Sequence, residues 1–518
     1  MASEKAALAE TAVGAAELRE ATRVLEAVVA DRALLAQLSG EERQALVVAA
    51  GRVVHAEPAQ KRRLVRALRS EVIARAQAHD RALRATTGIR AARQDDVFTA
   101  PAREPKLLGS AGPELKQPRT CYVCKEPYTR LHPFYDAMCP TCGDFNYEKR
   151  FQTVPLDGRV AVVTGARVKI GYQAALKLLR SGCTVVAVTR FPHDAAKRYA
   201  AEPDYAAWSE RLRIHGLDLR HAPSVELFCR YLLHELPRLD LLVNNACQTV
   251  RRPPGFYEHL LADELQPLHA LPPALHGPLR AHHDCVSTLA GAPRLAERSH
   301  EGDGGLVAWS GGGAGLGLRA SAQLSQVRYA FDDESRREDL FPSARRDADL
   351  QQVDLRETNT WRQTLSEVET AEMIEVQLVN AVAPFVLCGK LKPLMLRTPG
   401  REKHVVNVSA MEGIFSRGTK TARHPHTNMA KAGLNMMTLT SAREYVEDGI
   451  HMNAVDTGWV TDEDPFVHAE RKREELGFEP PLDIVDGAAR VLDPFIDGLA
   501  TGEHVWGKFL KDYKPSSW

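Results

Sequence analysis

Two groups of residues can do chemistry by their type and spacing. The first lies in CYVCKEPYTRLHPFYDAMCPTCGDF, where Cys121, Cys124, Cys139 and Cys142 form C-x2-C, fourteen residues, then C-x2-C. Two tight knuckles at that separation aim four thiolates at one ion. Four sulfur ligands around zinc are tetrahedral and leave no open position. A structural zinc is expected, and a redox CxxC pair is the competing reading. His132 reads as a surface residue, with ligand replacement as the alternative. The second group is the glycine loop in RVAVVTGARVKIG, residues 159–171. An apolar strand, Val160 to Val163, runs into Thr164 and Gly165, and an amphipathic helix begins at Gly171. Gly165 lets the backbone turn beside a phosphate, Gly171 lets the helix start pack closely, and the helix N-terminus offers unpaired N–H groups to a pyrophosphate.

These groups need elements to hold them. The chain has 518 residues, with 67 Lys and Arg against 67 Asp and Glu, so neither a basic nucleic-acid coat nor an acidic tail describes it as a whole. Its apolar share of 44% suffices for a core. No run of apolar residues long enough for a membrane span is evident, and MASEKAALAE lacks the pattern of a secretion signal, so a cytoplasmic protein without a membrane is expected. Nine cysteines in a chain this long do not make a disulfide scaffold.

Residues 1–95 are rich in Ala, Leu, Glu and Arg at helical spacing, with Ser39 and Glu42 as a capping box and Pro58 near a third helix start. Residues 51–94 carry eleven Lys or Arg and three acids, and Arg62, Arg66 and Arg69 share a face. That face reads as solvated, or as a docking surface for an acidic partner or phosphates. Residues 96–118 read as a linker and 119–150 as the cysteine module. From 155 to 518 strands alternate with helices, which argues for a parallel α/β sheet. Interrupting it, 252–365 holds PPALHGPL, EGDGG, SGGGAGLGL and DDESRRED and is expected to be mostly loop.

TGARVKIG (164–171), Asp218–Leu219, LLVNNA (241–246), Asn380 in VQLVNAVAPF, Ser409 in HVVNVSA, Lys431 in HTNMAKAG and NAVDTGWV (453–460) follow one another in the order of a known family. Over residues 157–250 and 370–518 the chain resembles a short-chain dehydrogenase/reductase. The resemblance implies a doubly wound, Rossmann-like sheet that binds a nicotinamide dinucleotide. It implies that Thr164, Gly165, Ile170 and Gly171 shape the cofactor loop and that Asp218, followed by Leu219, meets the adenine. Asn244 would steady the sheet, with Asn245 and Ala246 lining the site. Asn380 would anchor a relay water, Ser409 hold the substrate carbonyl, and Lys431 bind the nicotinamide ribose. Gly458 and Thr461 would lie near the nicotinamide.

An acid at the end of the second strand would bond the ribose 2′-hydroxyl and repel a 2′-phosphate. Here TVVAVTR ends in Arg190, and Arg167 and Lys169 stand in the glycine loop, Lys169 in place of the usual middle glycine. Three cations favour NADP(H) over NAD(H). The departure from the family is its acid. The tyrosine one turn before the lysine is Thr427, and no Tyr stands between Tyr329 and Tyr445. A threonine hydroxyl is a far poorer acid than a phenol, so His426, with His424 beside it, is the candidate replacement. Cys247 reads as a buried thiol, with exposure to the cofactor as the alternative.

The expectation is an NADP(H)-dependent oxidoreductase of a carbonyl or alcohol. The alternatives are an inactive dinucleotide-binding sensor or scaffold and a different chemistry on the same fold. A protein partner for the helical and zinc modules, and a homo-oligomer, are further expectations.

Overall fold

The computed structural model describes residues 13–110, 112–291, 313–330, 332, 337–342 and 345–518. Two compact units divide the chain, Met1–Ala78 and His79–Trp518. In the first, helices Ala15–Ala30 and Gly40–Val54 precede the long helix Pro58–Ala85, whose last turns belong to the second unit. Ser39 Oγ accepts from the Glu42 N–H at 3.3 Å while the Glu42 carboxylate accepts from the Ser39 N–H at 2.9 Å, so Ser-x-x-Glu closes a capping box. None of the described residues of this unit is buried, and Leu18, Val29, Val53 and Leu64 are exposed.

The second unit opens with a hairpin of β1 (Glu114–Thr120) and β2 (Pro127–Arg130), followed by helix Pro140–Phe151. The main sheet is built from β3 (Val160–Thr164), β4 (Thr184–Thr189), β5 (Leu212–Gly216), β6 (Leu241–Asn244), β7 (Lys403–Ser409), β8 (Ile450–Asp456), β9 (Phe509–Lys511) and β10 (Lys514–Ser516). The spatial order is β10-β9-β8-β7-β6-β3-β4-β5, parallel except for the β9–β10 pair. β3 and β7 are buried along their whole length, as strands covered on both faces must be. Helices Lys169–Arg180 and Ile484–Thr501 bring Ala174, Leu178, Leu492 and Phe495 to one face. Helices Ala222–Glu235 and Ala383–Met395 bring Phe228, Leu232, Leu387 and Leu391 to the other. The sheet is therefore doubly wound. Strand order reverses between β3 and β6, and the crevice outside the carboxyl ends there is where such sheets bind ligands.

Thr370–Met395 is long and apolar enough to cross a membrane by length and composition. Here Leu387, Leu391 and Leu394 pack it onto the sheet. A π turn, Leu378–Val382, interrupts it and carries Asn380.

The expectation of a mostly loop-like 252–365 is corrected over its first part. Helices Pro254–Glu264 and His276–Gly291 are both formed. Phe256, Tyr257 and Leu260 pack with Phe191 and Phe341, while Leu275 and Leu279 join the sheet core. Both pairs, Phe256–Leu260 and Leu275–Leu279, lie one turn apart, and Pro253 and Pro254 sit at a helix start, where the missing N–H costs nothing. EGDGG and the beginning of SGGGAGLGL lie outside the described residues.

Candidate functional site

The glycine loop closes on β6. Thr164 Oγ1 accepts from the Asn245 and Ala246 N–H groups, both at 3.0 Å, and Asn245 Nδ2 donates to the Thr164 carbonyl at 3.0 Å. Gly165 has φ +67°, and a Cβ there would stand 2.9 Å from Ala246 Cα. A Cβ on Gly171 would meet the Gly165 carbonyl oxygen at 2.3 Å and Asn245 Nδ2 at 2.4 Å. Side chains are excluded at both positions. Lys169 takes φ +56°, a left-handed conformation that a non-glycine residue adopts at a cost. Ile170 and Gly171 follow at the open end of the helix.

This loop lines a cavity of about 1190 Å³ at the carboxyl ends of β3 to β8. Arg190 stands over the Phe191 and Tyr257 rings and donates to the Tyr257 hydroxyl at 2.9 Å. It has no carboxylate partner among the described residues. Burial works against ionisation of Tyr257, yet Arg190, Arg167 and Arg252 bring its phenol below the usual value; Arg252 is itself ion-paired with Asp354. Arg167 is ion-paired with Asp194 at 2.6 Å. Burial disfavours the Lys169 ammonium, but Glu463, Asp349 and Asp347 hold its pKa above normal. Asp218 lines the cavity with Leu219, its carboxylate held by Arg220 at 2.6 Å, and Arg220 bridges on to Glu375 at 2.7 Å.

At the other end stand Ser409, Thr427 and Lys431. Ser409 ends β7, and helix Pro425–Glu447 presents Thr427 and Lys431 one turn apart. Ser409 Oγ lies 2.6 Å from Asn435 Oδ1, and Lys431 Nζ donates to the Val408 carbonyl at 2.8 Å. Thr427 Oγ1 is buried without a hydrogen bond among the described residues. Asn380 Oδ1 accepts from the Gln248 N–H at 2.8 Å and Nδ2 donates to the Gln248 carbonyl at 3.1 Å, so its amide clasps the loop just past β6. Asn244 donates to Asn407 Oδ1 at 2.8 Å, tying β6 to β7. Gly458 and Thr461 line the cavity beyond β8.

His426 is buried outside the cavity lining, both ring nitrogens without a partner among the described residues. Burial, with His424 adjacent, pushes its pKa down to about 4, so it is uncharged at neutrality. His424 does line the cavity, stacked on Trp361 at 4.0 Å. Cys247 is exposed in the lining, which corrects its reading as a buried thiol. Likewise His132 is buried, its Nδ1 accepting from the Phe134 and Tyr135 N–H groups and its Nε2 3.3 Å from Asp144, so it is not a surface residue and stands outside the four-sulfur group. The sulfurs of Cys121, Cys124, Cys139 and Cys142 lie within 4.8 Å of one another, with Cys124 and Cys139 at 3.9 Å.

A model of the short chain dehydrogenases matches residues 159–266, and one described as enoyl-(acyl carrier protein) reductase matches 357–474. An uncharacterised protein of Acanthamoeba polyphaga mimivirus is 31% identical over 388 residues, 73% of this chain and 71% of that one. The chain belongs to the short-chain dehydrogenase family. Retinol dehydrogenase 13 of Mus musculus is 38% identical over 96 residues, and the chain spans 27% of that relative's length. A short chain dehydrogenase from Shigella flexneri superposes with a TM-score of 0.40 at 14% identity, over 71% of this chain and 98% of that one.

Several site residues escape the family's motifs. Asn435 sits one turn past Lys431, so helical period alone put it on the same face. Tyr122, Trp361, Arg220 and Glu375 also reach the cavity, and no local pattern marks them.

Proposed function

We propose that the chain is an NADP(H)-dependent oxidoreductase acting on a carbonyl or alcohol. The observation that carries this reading is the conjunction of the side-chain-free glycine loop with Ser409 and Lys431 on one cavity at the strand-order reversal. When bound, the dinucleotide supplies or accepts hydride. Lys431 is placed to meet its ribose, and Asp218 and Leu219 its adenine. NADP(H) is favoured over NAD(H) by Arg190, a guanidinium in the cavity lining that makes no ion pair among the described residues, while Arg167 is held by Asp194.

Substrate oxygen falls to Ser409. With the Asn435 amide turned so that Nδ2 faces Ser409 Oγ, the serine proton is free for a carbonyl. With Oδ1 facing it, Oγ accepts from an alcohol. Thr427 replaces the family phenol and orients the substrate or a water, while His424 stands in the lining as a proton acceptor. Loss of the phenol favours a second reading, a dinucleotide-binding scaffold without turnover.

The cysteine cluster fits one structural zinc, since a tetrahedron with Zn–S near 2.3 Å needs sulfurs just under about 4 Å apart. The four thiolates would fill its coordination and leave no position for substrate. Nine unpaired cysteines are what a reducing compartment such as the cytoplasm maintains.

An equilibrium titration with NADPH and NADH, wild type beside Lys431→Ala and Arg190→Ala, tests the reading. NADPH binding that weakens in both variants, followed by carbonyl-dependent NADPH oxidation, is the expected result. Binding without NADPH oxidation by any carbonyl, or NADP+ reduction by any alcohol, would establish the scaffold, and no binding would sink both.

A further inference from the structure

The cysteine module is not an appendage to the cavity. Tyr122 lies between two of the four sulfur ligands, Cys121 and Cys124, with its N–H held by the Ala137 carbonyl at 2.8 Å. Its ring leaves the knuckle and lines the cavity, and its hydroxyl accepts from the Trp459 N–H at 2.9 Å. Trp459 is the first residue after Gly458, in the turn beyond β8. From there residues 459–466, with Ala469 and Lys472, line the cavity; the segment carries helix Phe466–Leu476 and returns to Leu482, whose N–H bonds the Trp459 carbonyl at 3.3 Å.

The far foot of this segment is held from the same side. Arg93 donates to the Pro480 carbonyl at 2.8 Å and the Leu482 carbonyl at 2.7 Å. Arg90 bridges Glu479 at 3.1 Å to Asp136 at 2.7 Å, and Asp136 lies between the cysteine pairs. The apolar core of the module is shared with the cavity as well. Cys121, Tyr128, Phe134 and Met138 pack in one cluster with Val460 and Leu482, and Ile170 of the glycine loop lies against it. Tightly packed cores transmit displacement. The knuckle, this segment and the cofactor loop thus form one continuous contact.

We propose that Tyr122 is a positioning residue that fixes the 459–482 segment along the cavity, so that metal held by the four cysteines and dinucleotide held by the glycine loop stabilise each other. This rests on the dinucleotide reading above. Linkage makes the effect reciprocal: whatever factor the metal adds to dinucleotide affinity, the dinucleotide adds to metal affinity.

The experiment uses the full chain loaded with zinc. Three quantities are measured for wild type, Tyr122→Phe and Tyr122→Ala: NADPH affinity, the rate of zinc transfer to a chromogenic chelator with and without saturating NADPH, and tryptic cleavage at the exposed Arg471 and Arg473. Tyr122→Phe removes one hydrogen-bond acceptor and keeps the ring and all four thiolates. It should retain one zinc, bind NADPH about fivefold more weakly, and be cleaved faster at 471–473. Tyr122→Ala should exaggerate both changes, and NADPH should slow zinc transfer from wild type. Unchanged NADPH affinity in both variants, or zinc transfer indifferent to NADPH, would overturn the coupling. If zinc-loaded wild type binds no NADPH at all, the dinucleotide reading fails by itself. Cleavage in Tyr122→Phe then still decides whether Tyr122 holds the segment.

Discussion

Ser409 Oγ and Asn435 Oδ1 stand 2.6 Å apart, joining the end of β7 to the helix that carries Lys431. The Asn435 Nδ2 group is buried without a partner among the described residues. Asn435→Asp removes the donor face and fixes the serine proton on a carboxylate. Carbonyl reduction should fall at least about tenfold, because a charge-assisted hydrogen bond to the new carboxylate, worth about 1.5–3 kcal/mol, withholds the serine proton from the substrate. NADPH affinity, measured by titration, should stay within about twofold, since less than about 0.5 kcal/mol of cofactor contact is touched.

Arg190 separates the two nicotinamide dinucleotides. Arg190→Ala should weaken NADPH about tenfold or more, a charge-assisted hydrogen bond to phosphate being worth about 1.5–3 kcal/mol, and leave NADH nearly unchanged. Arg190→Asp should invert the preference. Parallel titrations with both nucleotides check this, and equal losses for the two would show that the guanidinium does not face the 2′ position.

The cysteine module is locked to the sheet by a buried ion cluster. Arg150 meets Asp483 at 2.6 Å and Asp486 at 3.1 Å, all three fully buried, and the Tyr135 hydroxyl donates to Asp486 at 2.6 Å. Burial pushes the Asp483 carboxyl up, but the Arg150 guanidinium outweighs it and holds it below the ordinary value. Arg150→Met leaves two carboxylates buried without their cation and should cost about 3–5 kcal/mol in chemical denaturation.

Acid should destabilise the fold through its histidines. Burial, with Arg213 near, brings His215 down to about 3. His404, bonded to His504 at 2.9 Å and beside His451, is held well below 6.5 by burial and by those two rings. The unfolded chain takes up these protons near 6.5 and the folded one does not. Their contribution is therefore complete above that pH and is lost progressively as pH falls below it, at up to about 1.4 kcal/mol per pH unit for each residue. Denaturation midpoints from neutral to about pH 4 read the slope, which His215→Phe should flatten.

Metal removal has a local signature. One zinc per chain should be found by elemental analysis. Cys142→Ser should lose it and release the hairpin, read as faster amide exchange in residues 114–151. A structural site contributes on the order of 10–16 kcal/mol of apparent binding energy, so an exchange pattern unchanged by its loss would show that the knuckles need no ion.

The strand-to-helix junction at Val160–Gly171, the sheet strands and the four cysteines were legible because each follows from local period or spacing. The Tyr122–Trp459 bond joins residues far apart in sequence, and the Trp361–His424 stack joins two loops. Neither leaves a periodic trace. The helices of the insertion were hidden by proline content, although Pro254 marks a helix start. His132 misled because polarity suggested solvent, whereas its Nδ1 satisfies two backbone N–H groups inside the module.

β6 ends at Asn244 and its neighbour β7 begins at Lys403, with the long insertion and the Thr370–Met395 helix between them. Joining them closes a very large loop before any ladder bond rewards it. The β3–β4–β5–β6 half can assemble while the rest is still being synthesised, but its β6 edge then waits unpaired. Unpaired strand edges in partly folded chains are where aggregation starts. Slow, chaperone-sensitive folding is the consequence, and its slowest step should be the docking of β7 on β6, shortened in any variant that trims the excursion between them.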